Sequence, residues 1–279
     1  MWLITGAARG LGLEFTRAAL GAGDAVVATS RDSAALEQLA ADAGEQALVL
    51  ALDVTDSRAA FDVVARSLER FGRLDVAVNN AGYAIHAAVE ELTEEELRAQ
   101  LETNFFGAVW VMQEVLPVMR RQRHGHIVNV SSAAGGVGFA MVGAYSASKF
   151  ALEGISECLA LEAAPFGVSV TILQPSDFRT GFRDACRKRA APLADYEDAF
   201  ASDLDRLSTR HSGEEAGDPK RAAQALLDLV ELPAPPLRYP LGNAAFERLT
   251  EHHRRQLAEW AAYETVARSV DGRPGSPGS

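Results

Sequence analysis

The chain has 279 residues, of which 48% are hydrophobic and 23% are charged, and its formal net charge is −11. This length and composition suit one large α/β domain or two small ones. The negative charge argues against nucleic acid and anionic membranes as partners, and no apolar run reaches membrane-spanning length.

Seven apolar runs predict β-strands, and helical patterns lie between the first six. The runs are Trp2–Thr5, Ala25–Thr29, Ala47–Leu52, Val76–Asn79, Ile127–Ser131, Val168–Leu173 and Leu237–Leu241. This alternation predicts an α/β fold: a single-domain, Rossmann-like, doubly wound parallel sheet of about seven strands with helices on both faces. Sites in such sheets form beyond the carboxyl ends of the strands, where Gly6, Asn80, Ser132 and Pro175 fall.

The remaining segments predict one domain over residues 1–270 and a disordered tail, rich in Gly, Pro and Ser, over residues 271–279. Pro219 to Glu231 has a helical pattern. Asn243 to Val270 has another, in which large apolar side chains at near-helical spacing indicate packing; these are Phe246, Leu249, Leu257 and Trp260.

Cys158 lies in an apolar helix, so we expect it in the core, and neither it nor Cys186 has metal or redox spacing. We predict no metal site. The first strand begins close to residue 1 without a basic leader, so we expect a cytoplasmic protein.

A glycine-rich segment, Thr5-Gly6-Ala7-Ala8-Arg9-Gly10-Leu11-Gly12, stands between the first strand and a helical pattern. Dinucleotide sites need this context, because glycine lets the backbone approach a pyrophosphate and the helix start offers N–H groups to the anion. An ordinary glycine-rich turn would look the same, so the segment alone leaves both interpretations open.

Tyr145 and Lys149 are four residues apart, and Ser132 precedes Tyr145 by thirteen. On a helix, this spacing puts the phenol and the ammonium on one face. A neighbouring cation favours the phenolate, so we expect the tyrosine pKa to lie below its usual value of about 10 and the phenol to act as an acid or base. Ser132 would hydrogen-bond the reacting oxygen. The Tyr–Lys pair alone is weak evidence, since such pairs occur on many surface helices.

Together these segments resemble the short-chain dehydrogenase/reductase family, in its NADP-dependent type. Further matches are Asp53-Val54, Asn79-Asn80-Ala81-Gly82, Asn104-Phe105-Phe106-Gly107 and the strand His126–Ser132. The order and spacing match from Trp2 to Thr180, about two thirds of the chain. One departure is Ser176, which replaces the glycine of the family's Pro-Gly after Pro175 and leaves the backbone path to Thr180 open.

The resemblance implies reversible hydride transfer between a nicotinamide and a carbonyl carbon. Tyr145 would exchange the proton, Ser132 would orient the substrate oxygen, Lys149 would hold the nicotinamide ribose, and Asn104 would support a water between Lys149 and solvent. Asn104 could equally be a structural helix breaker. The expected cofactor-binding residues are Gly6, Arg9, Gly10, Leu11, Gly12, Ser30, Arg31, Asp53, Val54, Asn80, Ala81, Gly82, Tyr145, Lys149, Pro175 and Thr180.

The cofactor is expected to be NADPH, with NAD as the alternative. NAD enzymes of this fold carry an acidic residue at the end of the second strand, where this chain has Ser30 followed by Arg31. With Arg9, two guanidiniums suit a 2′-phosphate. The other interpretation is that Arg31 is a surface residue and Asp32 serves the ribose.

The side chains expected near the site are apolar, which predicts a ketone or secondary alcohol with a hydrophobic body; they are Ala84, Ile85, Phe139, Met141, Val142, Phe178 and Phe182. Periodicity weakens over residues 176–218, where the family has a mobile substrate loop and sequence alone favours a plain surface excursion. Other classes that fit are a nucleotide-binding regulator without activity and a sugar epimerase or dehydratase. Sugar epimerases and dehydratases resemble a longer branch with the spacing Gly-x-x-Gly-x-x-Gly. This chain has Gly-x-x-x-Gly-x-Gly instead, at Gly6, Gly10 and Gly12.

The helix that begins near Tyr145 is apolar over more of its circumference than packing on a sheet requires. Lys149, Glu153 and Glu157 form a polar stripe, while the rest is mostly Phe150, Leu152, Ile155, Leu159 and Leu161. We therefore expect a homodimer or homotetramer joined through this helix, as the family resemblance also implies. Alternatively, the preceding helix, around Phe105 to Val115, covers the surface within one chain.

Overall fold

The computed structural model describes residues 1–182, 186–188, 193–208 and 217–271. The strands of these residues are β1 (Trp2–Ile4), β2 (Val26–Ser30), β3 (Ala47–Ala51), β4 (Val76–Asn79), β5 (Ile85–His86), β6 (Gly125–Val130), β7 (Val168–Pro175), β8 (Arg187–Lys188) and β9 (Arg238–Leu241). The helices are α1 (Gly10–Gly21), α2 (Glu37–Ala43), α3 (Ser57–Phe71), α4 (Glu94–Leu101), α5 (Gly107–Gln122), α6 (Gly143–Ala163), α7 (Ala194–Ala199), α8 (Ala201–Ser208), α9 (Pro219–Val230), α10 (Asn243–Ala262) and α11 (Glu264–Ser269).

Seven strands form one sheet in the order β3-β2-β1-β4-β6-β7-β9, and every neighbouring pair is parallel. The seven predicted strands are confirmed, with ends that differ by one or two residues. The chain moves outward from β1 to β3 and then returns to place β4 on the other side of β1. Strand order therefore reverses between β1 and β4, which is where a crevice opens in a doubly wound sheet.

Side chains alternate between the two faces of the sheet, because successive strand residues point to opposite sides. Leu3 and Val27 pack with α3, α5 and α6 in one buried cluster. Ile4 and Val26 pack with α1 and α9 in the other. Helices thus cover both faces, as the alternating pattern predicted.

Two predictions about burial are wrong. Cys158 is exposed, because it lies on the face of α6 that points away from the sheet. In the last helical segment, which breaks at Tyr263 into α10 and α11, Leu249 is buried but the other large apolar side chains are not. Helical spacing indicated one apolar side of the segment but could not reveal that only its first turns contact the body.

Residues 176–218 are described in part. Their two ends are joined, because Arg179 N donates to Gly217 O at 3.0 Å and Gly217 N donates to Asp177 O at 2.9 Å. Between them, β8 pairs with β5 in a short parallel ladder that the sequence did not predict. The proposed tail beyond Asp271 lies outside the described residues. None of the described helices combines the length and the apolar character that a membrane crossing requires.

Candidate active site

A cavity of about 380 Å³ lies beyond the carboxyl ends of the central strands. Its walls include Ser132 and all the residues predicted to bind the cofactor except Gly12, which is buried in the first turn of α1. Of the predicted catalytic residues, only Asn104 does not line it. The structure therefore brings together motifs that are far apart in the chain.

The glycine-rich turn is fastened to β4 at the point where strand order reverses. Thr5 Oγ1 accepts hydrogen bonds from the backbone N–H groups of Asn80 and Ala81, both at 3.0 Å. Asn80 Nδ2 in turn donates to Thr5 O at 2.9 Å and Gly6 O at 3.1 Å. A Cβ at Gly12 would lie 2.4 Å from both Asn80 Nδ2 and Gly6 O, so the close approach requires glycine there.

Two guanidiniums, those of Arg9 and Arg31, line the end of the cavity beside β1 and β2, and Ser30 lies with them. Asp32, the alternative ribose partner, does not line the cavity. Its carboxylate caps the short turn that follows β2 by accepting from Ala34 N at 3.1 Å.

Tyr145, Lys149 and Ser132 meet where β6 and α6 come together. Tyr145 and Lys149 lie one turn apart on α6, and the Ser132 side chain is near enough to lower the pKa of the phenol. Lys149 is buried, and its Nζ donates to Val130 O at 2.7 Å and lies 5.8 Å from the centroid of the Tyr145 ring. The three predicted catalytic side chains therefore share one pocket.

The expected low pKa of Tyr145 is wrong for this arrangement. Burial raises the pKa of the phenol to about 12 and outweighs the contact with Ser132, which lowers it. Burial also lowers the pKa of the Lys149 ammonium to about 8, whereas Glu153 raises it. Helical spacing correctly placed both groups on one face but could not reveal how far each is removed from water.

Asn104 is buried beside the pocket, in a π-helical turn, Glu102–Phe106, between α4 and α5. Its Nδ2 donates to Tyr83 O at 2.9 Å and Ser148 Oγ at 3.0 Å, and its Oδ1 accepts from Tyr83 N at 3.1 Å. Asn104 thus links the loop after β4 to α6. This structural role is compatible with a second role near Lys149, since a Cβ at Gly82 would lie 3.1 Å from Asn104 Oδ1 and 3.6 Å from Lys149 Nζ.

The serine at position 176 is accommodated by a glycine elsewhere in the chain. Ser176 does not have a positive φ, and its N–H donates to Leu241 O at 2.9 Å. A Cβ at Gly242, where φ is +95°, would lie 2.4 Å from Ser176 Oγ. Thr180 keeps its place facing the glycine-rich turn, since a Cβ at Gly10 would lie 3.4 Å from Thr180 Cβ.

The far wall of the cavity is only partly as expected. Phe139, Val142, Phe178 and Phe182 line it, whereas the other three expected side chains, Ala84, Ile85 and Met141, are buried elsewhere. The sequence missed Tyr83, which directly follows the Asn-Asn-Ala-Gly motif, and it missed three residues of α10. These are Ala244, Ala245 and Arg248, and nothing in the sequence pointed to them.

Arg248 gives this largely apolar wall a cationic edge, because its guanidinium carbon lies 5.3 Å from the centroid of the Phe139 ring. In the described part of the chain, no group of three or more His, Cys, Asp or Glu side chains could hold a metal ion.

The residues fit a nicotinamide dinucleotide. A glycine-rich turn at a helix start and two guanidiniums lie on one side of the strand reversal, and Tyr145 with Lys149 lies on the other. Such a cofactor would supply the hydride, and the chain would supply orientation and a proton.

Comparison with known proteins identifies the family of the chain. A family model described as short chain dehydrogenase matches residues 1–191. The oxidoreductase BOA17 of Botryotinia fuckeliana is 40% identical over 88% of this chain and 90% of its own. The 3-ketodihydrosphingosine reductase of Bacteroides thetaiotaomicron is 38% identical over 86% of this chain and 87% of its own.

The crystal structure of a short-chain dehydrogenase from Streptomyces avermitilis is also similar, with 40% identity and a TM-score of 0.90. The match covers 97% of this chain and 98% of that one. The chain therefore belongs to the short-chain dehydrogenase/reductase family and is an NAD(P)-dependent dehydrogenase or reductase.

Proposed function

We propose that the enzyme uses NADPH to reduce a ketone or aldehyde of a largely apolar substrate, or catalyses the reverse oxidation, with Tyr145 as the acid or base. The observation that carries this proposal is that Ser132, Tyr145 and the buried Lys149 ammonium line one cavity, which also has an apolar wall. Ser132 orients the carbonyl oxygen, and Tyr145 gives that oxygen its proton as the hydride reaches the carbon.

The protonation states favour reduction as the direction that starts from the resting site. With a pKa of about 12, the Tyr145 phenol carries its proton at neutral pH and is ready to donate it. With a pKa of about 8, Lys149 is still mostly the ammonium and can stabilise the phenolate that remains. Asn104 is proposed to support the water through which the proton is replaced.

The preference for NADPH rests on charge. Arg9 and Arg31 offer two planar guanidiniums with the geometry that binds phosphate, and no acidic side chain replaces Ser30 at the end of β2. Asp32 is occupied as the cap of the following turn. An acidic residue facing the ribose, which would repel a 2′-phosphate, is therefore missing from the place where NAD enzymes carry it.

The apolar wall supports a substrate with a hydrophobic body. We propose that residues 176–218 form the substrate loop, because Phe178 and Phe182 line the cavity and Tyr196 of α7 anchors the segment through a 2.8 Å hydrogen bond to Glu90 Oε2. A keto substrate is also in the name of the Bacteroides reductase. The alternative is a catalytically silent NADP-binding regulator, which would bind NADPH without turning over any carbonyl. For either function we propose a location in the cytoplasm.

We also propose a homodimer or homotetramer joined through α6. The predicted polar stripe faces inward, since Lys149 and Glu153 are buried and only Glu157 is exposed. Phe150 and Leu161, by contrast, are 46% and 80% exposed, so the preceding helix of the same chain does not cover them. A two-fold contact would bury both.

Replacing Tyr145 with Phe removes the transferable proton and little else. Turnover should fall about a hundred- to ten-thousandfold, since this is the typical cost of losing a positioned acid, while NADPH binding, measured by fluorescence titration, stays close to wild type. Tyr263→Phe, at an exposed tyrosine between α10 and α11, is the matched control. Near-normal turnover by Tyr145→Phe would sink the mechanism.

Replacing Arg31 with Asp should shift preference from NADPH towards NADH, because the change removes a phosphate partner and adds a carboxylate that repels the phosphate. The measurement is the ratio of kcat/KM for the two cofactors. Arg17→Asp makes the same charge change on the exposed side of α1, beside Glu14 and away from the cavity, and should leave the ratio unchanged. An unchanged ratio in Arg31→Asp would show that Arg31 does not read the 2′-phosphate.

Light scattering at micromolar concentration should give at least twice the chain mass of 29.8 kDa. Leu161→Asp should shift the protein towards the single chain, because it puts a charge into the proposed contact, whereas Leu257→Asp on the exposed part of α10 should not. A strictly monomeric wild type would contradict the oligomer and leave the chemistry untouched.

A further inference from the structure

Glu153 is a carboxylate buried directly behind the active site, with only 4% of its side chain exposed. It accepts hydrogen bonds from Ser131 Oγ at 2.7 Å, from Gln174 Nε2 at 2.9 and 3.1 Å, and from Arg238 Nε at 3.0 Å. The fit is tight, since a Cβ at Gly135 would lie 2.5 Å from Glu153 Oε1. This carboxylate therefore has a fixed position.

Two of the partners of Glu153 adjoin a part of the active site. Ser131 directly precedes Ser132 at the end of β6, and Gln174 directly precedes Pro175 within β7. Glu153 itself follows Lys149 by one turn of α6. One buried side chain thus joins the segments that carry the substrate-orienting hydroxyl, the ammonium and the start of the substrate loop.

Glu153 does not line the cavity, so any effect on the reaction must pass through its neighbours. One route is mechanical, through Ser131 to Ser132. The other is electrostatic, because Glu153 raises the pKa of Lys149 against the effect of burial. The other charged or titratable groups near this centre are Tyr145 on α6, Arg238 with its second partner Glu157, and Asp177 and Cys186, which both raise the pKa of Tyr145.

A buried carboxylate contributes little net stability to a fold. Removing it from water costs several kcal/mol, and an ion pair in such a place is often no better than packed apolar side chains. Arg238 and the three neutral donor contacts offset this cost, but they do not explain why a charge stands there. The position of the Glu153 carboxylate beside Lys149 and Ser131 gives a reason for the charge.

We propose that Glu153 is a positioning residue: its carboxylate holds Ser131, and with it the Ser132 hydroxyl, against Tyr145, and supplies the buried negative charge that faces Lys149. The first effect bears on the proposed carbonyl reduction and rests on it. The second is a property of the protein alone and can be measured without substrate.

The charge is tested by Glu153→Gln, which keeps the size of the side chain, with Glu157→Gln as the matched control. Glu157 shares Arg238 but is exposed. The chain has three lysines, Lys149, Lys188 and Lys220, so 13C labelling of lysine Cε gives few enough signals to follow each by NMR. Lys149 should titrate at about 8 in the wild type, and about one pH unit lower in Glu153→Gln, because an adjacent opposite charge shifts a pKa by roughly that much or more.

The same variants test the reaction with the most active ketone from a panel of apolar ketones. Glu153→Gln should lower kcat about tenfold, because losing a hydrogen bond to a buried charged group costs about 1.4 kcal/mol. The fall of activity at high pH should begin at a pH about one unit lower than in the wild type. Glu153→Asp should keep the wild-type pH limb, since it keeps the charge, but should lose rate because the shorter side chain reaches Ser131 less well.

Each outcome decides one idea. A wild-type Lys149 titration in Glu153→Gln would overturn the electrostatic role, and a wild-type kcat in Glu153→Asp would overturn the mechanical one. If Glu153→Gln does not fold, Glu153→Asp tests the mechanical role, and a wild-type Lys149 that titrates well below 8, as burial without an opposing charge would give, would overturn the electrostatic one. Full activity of Tyr145→Phe would instead defeat the proposed function and leave the Lys149 measurement standing.

Discussion

The burial of the Lys149 ammonium is the constraint around which the active site is organised. Burying an ammonium destabilises the folded protein unless hydrogen bonds and an opposite charge replace its contacts with water. Here Val130 O accepts its hydrogen bond, and Glu153 provides the negative charge one turn further along α6. The bonds from Lys149 Nζ to Val130 O and from Ser131 Oγ to Glu153 tie α6 to the end of β6, and the same junction places Tyr145 beside Ser132.

The parallel sheet makes this junction part of a larger site. The carboxyl ends of parallel strands meet at one edge, so the turn after β1, the loop after β4 and Ser132 after β6 open into one cavity. Thr5 and Asn80 fasten two of these loops to each other. The two ends of the cavity are therefore held by one framework, while part of its far wall comes from later segments of the chain, at 178–182 and 244–248.

The sequence predicted the framework well because strands, glycine turns and the Tyr–Lys spacing are local patterns. The parallel, doubly wound arrangement followed from alternation and from the rule that crossovers are right-handed, whereas the order of the strands came from the structure. Properties that depend on distant packing were not predictable. The pKa of Tyr145 depends on how much water the surrounding segments exclude, and Cys158 is exposed because of how α6 is turned on the sheet. Arg248 reaches the cavity from a helix that begins about a hundred residues after Ser132, and no motif marks it.

The central claim is that this site moves a hydride from NADPH to a carbonyl carbon while the chain itself supplies the proton. The most direct measurement uses NADPH with both hydrogens at C4 of the nicotinamide replaced by deuterium, a panel of apolar ketones and mass spectrometry of the alcohol. We predict that each alcohol carries one deuterium, on its carbinol carbon. Oxidation of NADPH without deuterium on that carbon, or NADPH binding without any alcohol formed, would contradict it.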